Sequence, residues 1–293
     1  MDLTTAHFNT PTLLVVAGAT SVGKTNFSIQ LAQHYNTSIL SSDSRQFYKE
    51  MRIGTAFPSP EELAAVPHFF VGNLSIQDYY NISNFETDAL NLLTELFKKN
   101  NVVIMTGGSG LYIDAVCKGI DSMPDANLEI REYVNNLYLK EGIDILRTQL
   151  KLLDPEFYAT NDLTNHKRMI RALEVCLQTG QPYTSFHSKS SKKRNFNIQK
   201  YCLTRPREEL FERINNRTDK MIADGWVEEA KNLYTYKHLI ALNTVGYKEL
   251  FDYLDGLYSL PEAIEKIKTH TRRYAKRQLT WFKRDGEYTD ISL

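Results

Sequence analysis

Residues 18–25 read Gly-Ala-Thr-Ser-Val-Gly-Lys-Thr and fit the pattern G-x-x-x-x-G-K-[ST] at every fixed position. The apolar run 13–17 before them predicts a buried strand, and Phe27, Leu31 and Tyr35, spaced by four, predict one face of a following helix. In such a loop the backbone N–H groups and the helix N-terminus bind phosphate, the lysine adds a full charge, and the threonine hydroxyl is a ligand for Mg²⁺. The stretch therefore predicts a di- or triphosphate site, but not which molecule carries the phosphate.

The composition excludes few classes of protein. The 293 residues, 42% of them hydrophobic, suffice for one large domain or two. Thirty-five basic residues balance thirty-five acidic ones, so net charge does not decide whether a polyanion is bound. Cys117, Cys176 and Cys202 are far apart, which indicates a reducing cytosol without a disulfide framework or a zinc site. With no signal pattern and no membrane-spanning run, we expect a cytoplasmic protein that does not contact membranes.

Strand and helix patterns alternate through the first part of the chain. A second strand is predicted over 38–42, then a helix whose capping box is Ser83 and Glu86, then a third strand over 102–105. This alternation predicts an α/β fold, a P-loop NTPase-like parallel sheet flanked by helices. Because ligands of parallel sheets bind at the carboxyl ends of the strands, we expect the phosphate loop, Asp43 and the turn 107–109 to converge on one cleft.

Residues 119–197 lack strand patterns and predict an all-helical insertion domain between the two parts of the core, 1–118 and 198–293. Its third helix is expected over 165–178, ended by Gly180, and the polar stretch 185–194 is expected to be a mobile loop. A strand over 198–203 and four helices are predicted to follow. Ser259 and Glu262 are expected to cap the last of these.

Basic residues cluster in two places. At about 100° per residue, one narrow stripe of the last helix holds Lys266, His270, Arg273, Arg277 and Arg284. A solvated charged face is the usual interpretation, but carboxylates are almost absent after Glu265, so polyanion contact competes with it. Lys167, Arg168 and Arg171 lie in the third insertion helix, and Arg194 follows nearby. Together the two clusters predict positively charged surfaces of the kind that bind nucleic acid.

Three observations concern the chemistry. Asp43 ends a strand beside the phosphate loop, which favours a general base over an outer-shell partner of Mg²⁺ or a helix cap. The third strand ends without the aspartate that phosphate-loop hydrolases place there, which weakens that class and leaves a small-molecule kinase possible. Arg213 and Arg217 are one turn apart, and their spacing leaves open whether they face the cleft or pair with Glu209, Glu212 or Asp219.

Several separate motifs resemble those of the tRNA dimethylallyltransferase (isopentenyltransferase) family, bacterial type. They are the loop 18–25, D-S-R-Q-F-Y at 43–48, G-T-A at 54–56, G-G-S-G-L-Y at 107–112, R-M-I-R-A-L-E-V at 168–175, the R-I-x-x-R-x-x-x-M-x-x-x-G pattern at 213–225, G-Y-K-E at 246–249 and T-R-R-Y-A-K-R-Q-L-T-W-F at 271–282. Ala19, Ser21, Val22, Phe57 and Ser109 depart from the family's residues, and substrate preference is what these departures leave open.

The resemblance implies transfer of a dimethylallyl group from its diphosphate to N6 of the adenosine 3′ of the anticodon (position 37), in tRNAs reading codons that begin with U. It implies that Asp43 accepts the N6 proton, that Arg217 assists at the diphosphate, that Ser109 lies near the base, and that Thr25 binds Mg²⁺. The implied diphosphate site is Gly18, Ala19, Thr20, Ser21, Val22, Gly23, Lys24 and Thr25. The implied tRNA contacts are Asp43, Ser44, Arg45, Gln46, Ser109, Arg131, Lys167, Arg168, Met169, Ile170 and Arg171.

Other functions remain open at this point. They are a phosphate-loop kinase, prenyl transfer to free adenine nucleotides, and a non-catalytic RNA-binding module. The intact Lys24, Thr25 and Asp43 disfavour the last of these. We expect a monomer.

Overall fold

The computed structural model describes residues 6–187 and 191–293. The chain forms two compact units, one of Met1–Lys118 with Arg194–Leu293 and the other of Gly119–Lys193. The second unit begins where the insertion was predicted to begin and ends four residues earlier than the predicted 197, because 194–197 belong to the first unit.

The first unit contains a six-stranded sheet in which every pair of neighbouring strands is parallel. The order across the sheet is β3-β2-β4-β1-β5-β6. The strands are β1 (Thr12–Gly18), β2 (Ile39–Ser41), β3 (His68–Phe69), β4 (Val102–Gly107), β5 (Asn197–Thr204) and β6 (Tyr288–Ser292). The predicted parallel sheet is confirmed. The short edge strands β3 and β6 were not predicted, because neither carries a buried apolar run.

Helices of the first unit cover both faces of this sheet, and the second unit has helices of its own. Those of the first unit are α1 (Lys24–His34), α2 (Pro60–Ala65), α3 (Ile82–Leu96) and α4 (Gly110–Lys118), and those of the second are α5 (Leu128–Glu141), α6 (Ile143–Leu153), α7 (Pro155–Thr160) and α8 (His166–Thr179). The first unit resumes with α9 (Arg207–Ala223), α10 (Trp226–Leu233), α11 (Tyr247–Leu254) and α12 (Leu260–Arg284).

The central strand β1 explains the layering, because every residue in it is buried. Leu14 and Val16 pack in one cluster with residues of α1 and α9, whereas Leu13 and Val15 pack in another with residues of α3 and α4. Alternation between opposite faces is the period of a strand. A strand buried on both faces carries a continuous apolar run, which is the pattern that identified it.

The start of α3 corrects one prediction. Asn81, not Ser83, is the N-cap, and its Oδ1 accepts from the N–H groups of Ser83 at 2.8 Å and Asn84 at 2.9 Å. The predicted capping box of Ser83 and Glu86 is therefore wrong. The carboxylate of that pair lies inside the protein instead, where Glu86 is 6% exposed.

The partner of Glu86 is Arg194, which corrects a second prediction. Arg194 Nη2 donates to Glu86 at 2.7 Å, and the same guanidinium donates to the carbonyls of Ala115 and Val116. The Arg194 side chain is 10% exposed. It is thus part of the interior of the first unit and not of a basic surface.

The long helix α12 connects several layers of the first unit. It begins as predicted, since Glu262 accepts from the Ser259 N–H at 2.8 Å. Ala275 packs with the cluster that contains Leu14, and Phe282 with the one that contains Leu13. Because α12 reaches both clusters, its side chains approach the strand ends where the phosphate loop begins.

The second unit, in its described residues 119–187 and 191–193, contains helices and no strand, and it has an apolar core of its own. That core includes Val134, Leu146, Leu150, Phe157, Met169 and Leu173. Gly180 ends α8 with φ 69°, as predicted, because glycine adopts the left-handed conformation without steric cost. The predicted mobile loop 185–194 includes residues 188–190, which lie outside the described residues. Among the described helices of the whole chain, none is both long and apolar enough to cross a membrane.

Candidate active site

The phosphate loop lies between β1 and α1, at the carboxyl end of the central strand. Gly23 precedes α1 with φ 117°, a conformation that side chains rarely adopt, which explains the glycine at this position. Ala19 and Val22, two departures from the family pattern, are buried in an apolar cluster. Both side chains pack inside the protein. The residue at position 22 therefore does not point at the phosphate, and the absence of a hydroxyl there does not cost the loop a phosphate ligand.

Lys24 folds back over the loop. Its Nζ donates to the carbonyls of Gly18 at 3.0 Å and Ala19 at 2.9 Å. Burial lowers the pKa of Lys24 to about 8; the charge of Asp43 raises it and that of Arg217 lowers it further. A desolvated cation held at the loop by two backbone carbonyls is suited to a multiply charged phosphate group.

Arg213 and Arg217, both on α9, face the phosphate loop. Arg217 Nη2 donates to the Thr20 hydroxyl, and Arg213 Nε donates to the Ser21 carbonyl at 2.9 Å. Of the two, Arg217 faces the cleft, whereas Arg213 is exposed and hydrogen-bonds to the backbone of the loop. Two of the three candidate carboxylates pair with other cations, Glu209 with Arg205 and Asp219 with Lys268. Burial lowers the pKa of Arg217 to about 10, and the charge of Asp43 opposes this shift.

Asp43 follows β2 and lies in a turn. Its N–H donates to Ser41 Oγ at 3.2 Å, and its Oδ1 accepts from the Arg45 N–H at 3.1 Å. No helix begins at this point, which removes the helix-cap interpretation. Asp43 and Arg217 line the same cavity, so the carboxylate and the phosphate-facing arginine share one solvent space.

The turn after β4 contacts the segment around Asp43 at two points. A Cβ on Gly107 would lie 2.1 Å from Ser42 Oγ, so only glycine fits against the end of β2. Ser109 Oγ accepts from the Ser44 N–H at 3.2 Å, and the two serine hydroxyl oxygens are 3.3 Å apart. The predicted convergence of the phosphate loop, the Asp43 segment and the turn 107–109 is confirmed.

A cavity lined by residues of the phosphate loop and the Asp43 segment has a volume of about 390 Å³. Its polar wall includes Thr20, Asp43, Ser44, Arg45 and Arg217, and its apolar wall includes Met221, Trp226 and Val245. Tyr274 also lines the cavity, and partial burial followed by the charge of Asp43 raises its pKa to about 12. Most of its lining residues are polar or charged, and a volume of this size lies in the range of small-molecule sites.

Two predicted tRNA contacts in the first unit are already hydrogen-bonded within the protein. Arg45 Nη1 donates to the carbonyls of Ile240 at 3.1 Å and Ala241 at 3.0 Å. Gln46 Nε2 donates to the carbonyls of Thr55 and Ala56. Arg45 lines the cavity, and Gln46 holds Thr55, which also lines it; contact of either side chain with RNA stays a prediction.

The predicted tRNA contacts in the second unit fall into three groups. Lys167 and Arg168 are exposed at the start of α8. Met169 and Ile170 are 0% and 7% exposed in the apolar core, so their side chains are not available for contact with RNA, which corrects their assignment. Helical periodicity explains the difference, since only part of a run of five residues faces solvent.

The remaining pair, Arg131 and Arg171, shares one buried carboxylate. Arg131 Nε lies 2.8 Å and Arg171 Nη1 2.6 Å from Glu174, whose side chain is 0% exposed. The two arginine side chains keep 30% and 28% of their surface exposed. The carboxylate thus fixes both guanidinium groups, while part of each arginine side chain stays exposed.

Three residues that shape the site were not found from the sequence. Arg205 Nε donates to the Val22 carbonyl at 2.7 Å. The Glu229 carboxylate accepts from the N–H groups of three consecutive residues, 52–54, and so anchors the G-T-A motif. Gln278 bonds to both the phosphate loop and the turn after β4. The available signal for Gln278 was a polar residue on the buried side of α12, between Ala275 and Phe282.

The donor set for a metal ion is sparse. Among the described residues, no cluster of three or more His, Cys, Asp or Glu side chains could hold one. The Thr25 hydroxyl lies in the first turn of α1 next to Lys24. Mg²⁺ commonly binds through one or two protein oxygens together with substrate phosphates and waters, so these residues fit Mg²⁺ that arrives with a diphosphate.

A phosphate loop with two desolvated cations and a carboxylate that acts electrostatically on both, beside a small cavity at the strand ends of a parallel sheet, defines a phosphate-loop enzyme of the group-transfer class. The family model described as IPP transferase matches residues 46–285. The chain belongs to the IPP transferase family, whose members are prenyltransferases.

Curated relatives agree with this assignment. The chain is 52% identical to "tRNA dimethylallyltransferase 1" of Bacteroides fragilis over 276 residues, which covers 94% of this chain and 92% of the relative. It is 50% identical to "tRNA dimethylallyltransferase" of Christiangramia forsetii over 275 residues, covering 94% and 91%.

Solved structures agree as well. The full-length tRNA isopentenylpyrophosphate transferase of Bacillus halodurans aligns with a TM-score of 0.69 and 34% identity, covering 96% of this chain and 89% of that one. A eukaryotic dimethylallyltransferase described as acting on tRNA aligns with a TM-score of 0.79 and 26% identity, covering 97% and 74%. The predicted fold and the predicted family are confirmed.

Proposed function

We propose that this protein transfers a dimethylallyl group from dimethylallyl diphosphate to N6 of the adenosine at position 37, 3′ of the anticodon, in tRNAs that read codons beginning with U. The observation that carries the proposal is that Thr20, Arg217 and Asp43 line the same cavity. The names of the relatives, which refer to dimethylallyl transfer and to tRNA, support the choice of donor and acceptor.

The proposed reaction is a substitution at an allylic carbon. The N6 lone pair forms the new C–N bond, the C–O bond to the diphosphate breaks, and the bonding electrons leave with the diphosphate. Asp43 accepts the proton that N6 loses, which assists a weakly nucleophilic aromatic amine. Lys24, Arg217 and the loop N–H groups stabilise the negative charge as it develops on the leaving group.

Mg²⁺ is proposed as the cofactor, with Thr25 as its protein ligand. When bound, the ion supplies further charge neutralisation at the diphosphate. The chain's own residues hold the diphosphate from the other sides, since Lys24 and Arg217 both lie at the loop.

The acceptor adenine must leave the base stack of the anticodon loop to reach this cavity. A base inside an anticodon loop presents N6 to an enclosed site only when it is flipped out. We assign Ser44 and Ser109, whose hydroxyls meet beside Asp43, to the acceptor side of the cavity. Lys167 and Arg168 are proposed to contact the RNA backbone, and Arg131 and Arg171 to do so through the exposed part of their side chains. We propose that the enzyme acts in the cytoplasm as a monomer.

The direct test is incubation of the purified protein with radiolabelled dimethylallyl diphosphate and an anticodon stem-loop. Nucleoside analysis should find label on N6 of the adenosine 3′ of the anticodon, and a stem-loop with guanosine at that position should stay unlabelled. Label on AMP but not on RNA would assign the protein to prenyl transfer onto free nucleotides. Phosphate transfer from labelled ATP without any prenyl transfer would assign it to the kinases.

A further inference from the structure

Gln278 is a buried side chain that hydrogen-bonds to two distant segments of the active site. It lies on α12, is 6% exposed, and its Oε1 accepts from the Thr20 N–H at 2.9 Å. Its Nε2 donates to the Gly108 carbonyl at 2.9 Å. Thr20 belongs to the phosphate loop, whereas Gly108 precedes Ser109 on the acceptor side of the cavity.

We propose that Gln278 is a positioning residue that fixes the spacing between the diphosphate and the acceptor base. The inference rests on the proposed function, because it assigns the phosphate loop to the donor and the turn 107–109 to the acceptor. An uncharged amide suits this role, since one end accepts and the other donates. Among side chains of similar length, methionine offers neither bond and an ionised glutamate offers only one.

The contact is close on the acceptor side. A Cβ on Gly108 would lie 2.1 Å from Gln278 Nε2, so the glycine permits the amide to reach the carbonyl. One turn further along α12, Trp281 Nε1 donates to Asp114 at 3.1 Å, and a Cβ on Gly110 would lie 2.2 Å from the Trp281 ring. The turn after β4 and the helix α4 that follows it are therefore held to α12 at successive points.

The contact on the donor side leads directly to the leaving-group site. Thr20 offers its N–H to Gln278 and its hydroxyl to Arg217. Without Gln278 to hold it, Thr20 can shift, and its hydrogen bond to the diphosphate-binding Arg217 changes with it. Misplacement of reacting groups by about 1 Å costs about 100-fold in rate, so loss of this link should reduce turnover more than binding.

The first test is Gln278→Met, which removes both hydrogen bonds and keeps a side chain of similar volume. We expect kcat to fall about 100-fold, with KM for dimethylallyl diphosphate and for the stem-loop changed by less than about threefold. The control is Ser28→Ala, another buried polar side chain close to the loop, whose hydroxyl has no hydrogen-bond partner in the described structure. The control should keep the wild-type kcat. Thermal unfolding of both variants identifies any loss of folded protein.

The second test is Gln278→Glu, read as a pH profile. The ionised carboxylate can accept from Thr20 but cannot donate to Gly108, whereas the protonated form can do both. Burial raises the pKa of an introduced carboxyl group, which brings its protonation into the measurable range. We expect kcat of this variant, relative to wild type, to rise as the pH falls, and Gln278→Met to keep the shape of the wild-type profile.

Two results would overturn the inference. One is a kcat for Gln278→Met within about threefold of wild type. The other is a pH profile of Gln278→Glu that matches that of Gln278→Met. Both presuppose a wild-type protein that transfers the prenyl group, so an inactive wild type would refute the proposed function and not the role of Gln278.

Discussion

Arg217 of α9 is hydrogen-bonded through Nη2 to the hydroxyl of Thr20, a residue of the phosphate loop 197 positions away in sequence. The arginine therefore lies at the leaving-group site before any substrate is bound. Its pKa is lowered mainly by burial, so the guanidinium is already poorly hydrated when the diphosphate binds. This arrangement reduces the reorganisation needed as charge develops.

Arg217→Ala should raise KM for dimethylallyl diphosphate by about 10- to 100-fold, because hydrogen bonds to charged groups contribute about 1.5–3 kcal/mol. Steady-state kinetics at saturating stem-loop measures the change. Arg207→Ala is the matched control, since Arg207 lies on the same helix with its guanidinium 5.2 Å from the Phe211 ring. An unaltered donor KM would show that Arg217 only supports the loop.

Asp43→Ala should reduce turnover by about 10²- to 10⁴-fold, the usual contribution of a general base, and leave stem-loop binding largely intact. Asp43→Asn keeps the shape of the side chain and should lose a similar amount, because the amide cannot accept the proton. Single-turnover assays and filter binding separate the two effects. Near-normal turnover in either variant would remove Asp43 as the base.

Diphosphate binding should be accompanied by proton uptake near pH 8.5. The pKa of Lys24 is lowered from 10.5 to about 8 in the free site, so at this pH a large part of Lys24 is neutral. A bound anion favours the ammonium form and raises its pKa, so the complex holds more protons than the free protein. Calorimetry of pyrophosphate binding in buffers with different ionisation enthalpies measures the uptake. Lys24→Met should abolish it, and the same uptake in that variant would point to another group.

Glu174→Ala should lower the free energy of unfolding of the helical unit by about 3 kcal/mol, because it leaves Arg131 and Arg171 without their buried partner. Hydrogen exchange in peptides from α5 and α8 reports this locally. The control is Asp144→Ala in the same unit, because Asp144 pairs with Arg147 through a side chain that is 84% exposed. Exposed pairs contribute little, so the control should exchange like wild type. Equal exchange in the two variants would contradict a structural role for the buried carboxylate.

Stem-loop binding should weaken steeply with salt although the net charge is zero. Within the described part of the chain, neither Arg273 nor Arg277 of α12 has a carboxylate within ion-pair distance, and both are exposed. If these cations contact RNA phosphates, each alanine variant should reduce the slope of log K against log salt by about 1. A slope unchanged in both variants would remove α12 from the RNA interface.

The local features of the fold were readable from the sequence. The phosphate loop is a continuous pattern of eight residues, and β1 is a continuous apolar run, so both can be identified without knowing what surrounds them. The last helix was equally clear, because Ser259 and Glu262 lie within one turn of each other. Interactions between residues this close in sequence are determined by spacing alone.

The sequence also supplied most of the site through motifs at the carboxyl ends of strands. The convergence of the loop, Asp43 and the turn 107–109 followed from the geometry of parallel sheets, in which those ends share one edge. The family followed from the same motifs and is confirmed over nearly the whole chain.

Partners far apart in sequence were decided only by the tertiary structure. Glu86 was expected to cap α3 but pairs with Arg194, 108 positions away, and Gln278 reaches Thr20 across 258 positions. Spacing left the direction of Arg217 undecided, because a helix offers both a cleft side and a surface side to residues one turn apart. Local periodicity states which residues share a face, whereas the packing of distant segments determines what that face contacts.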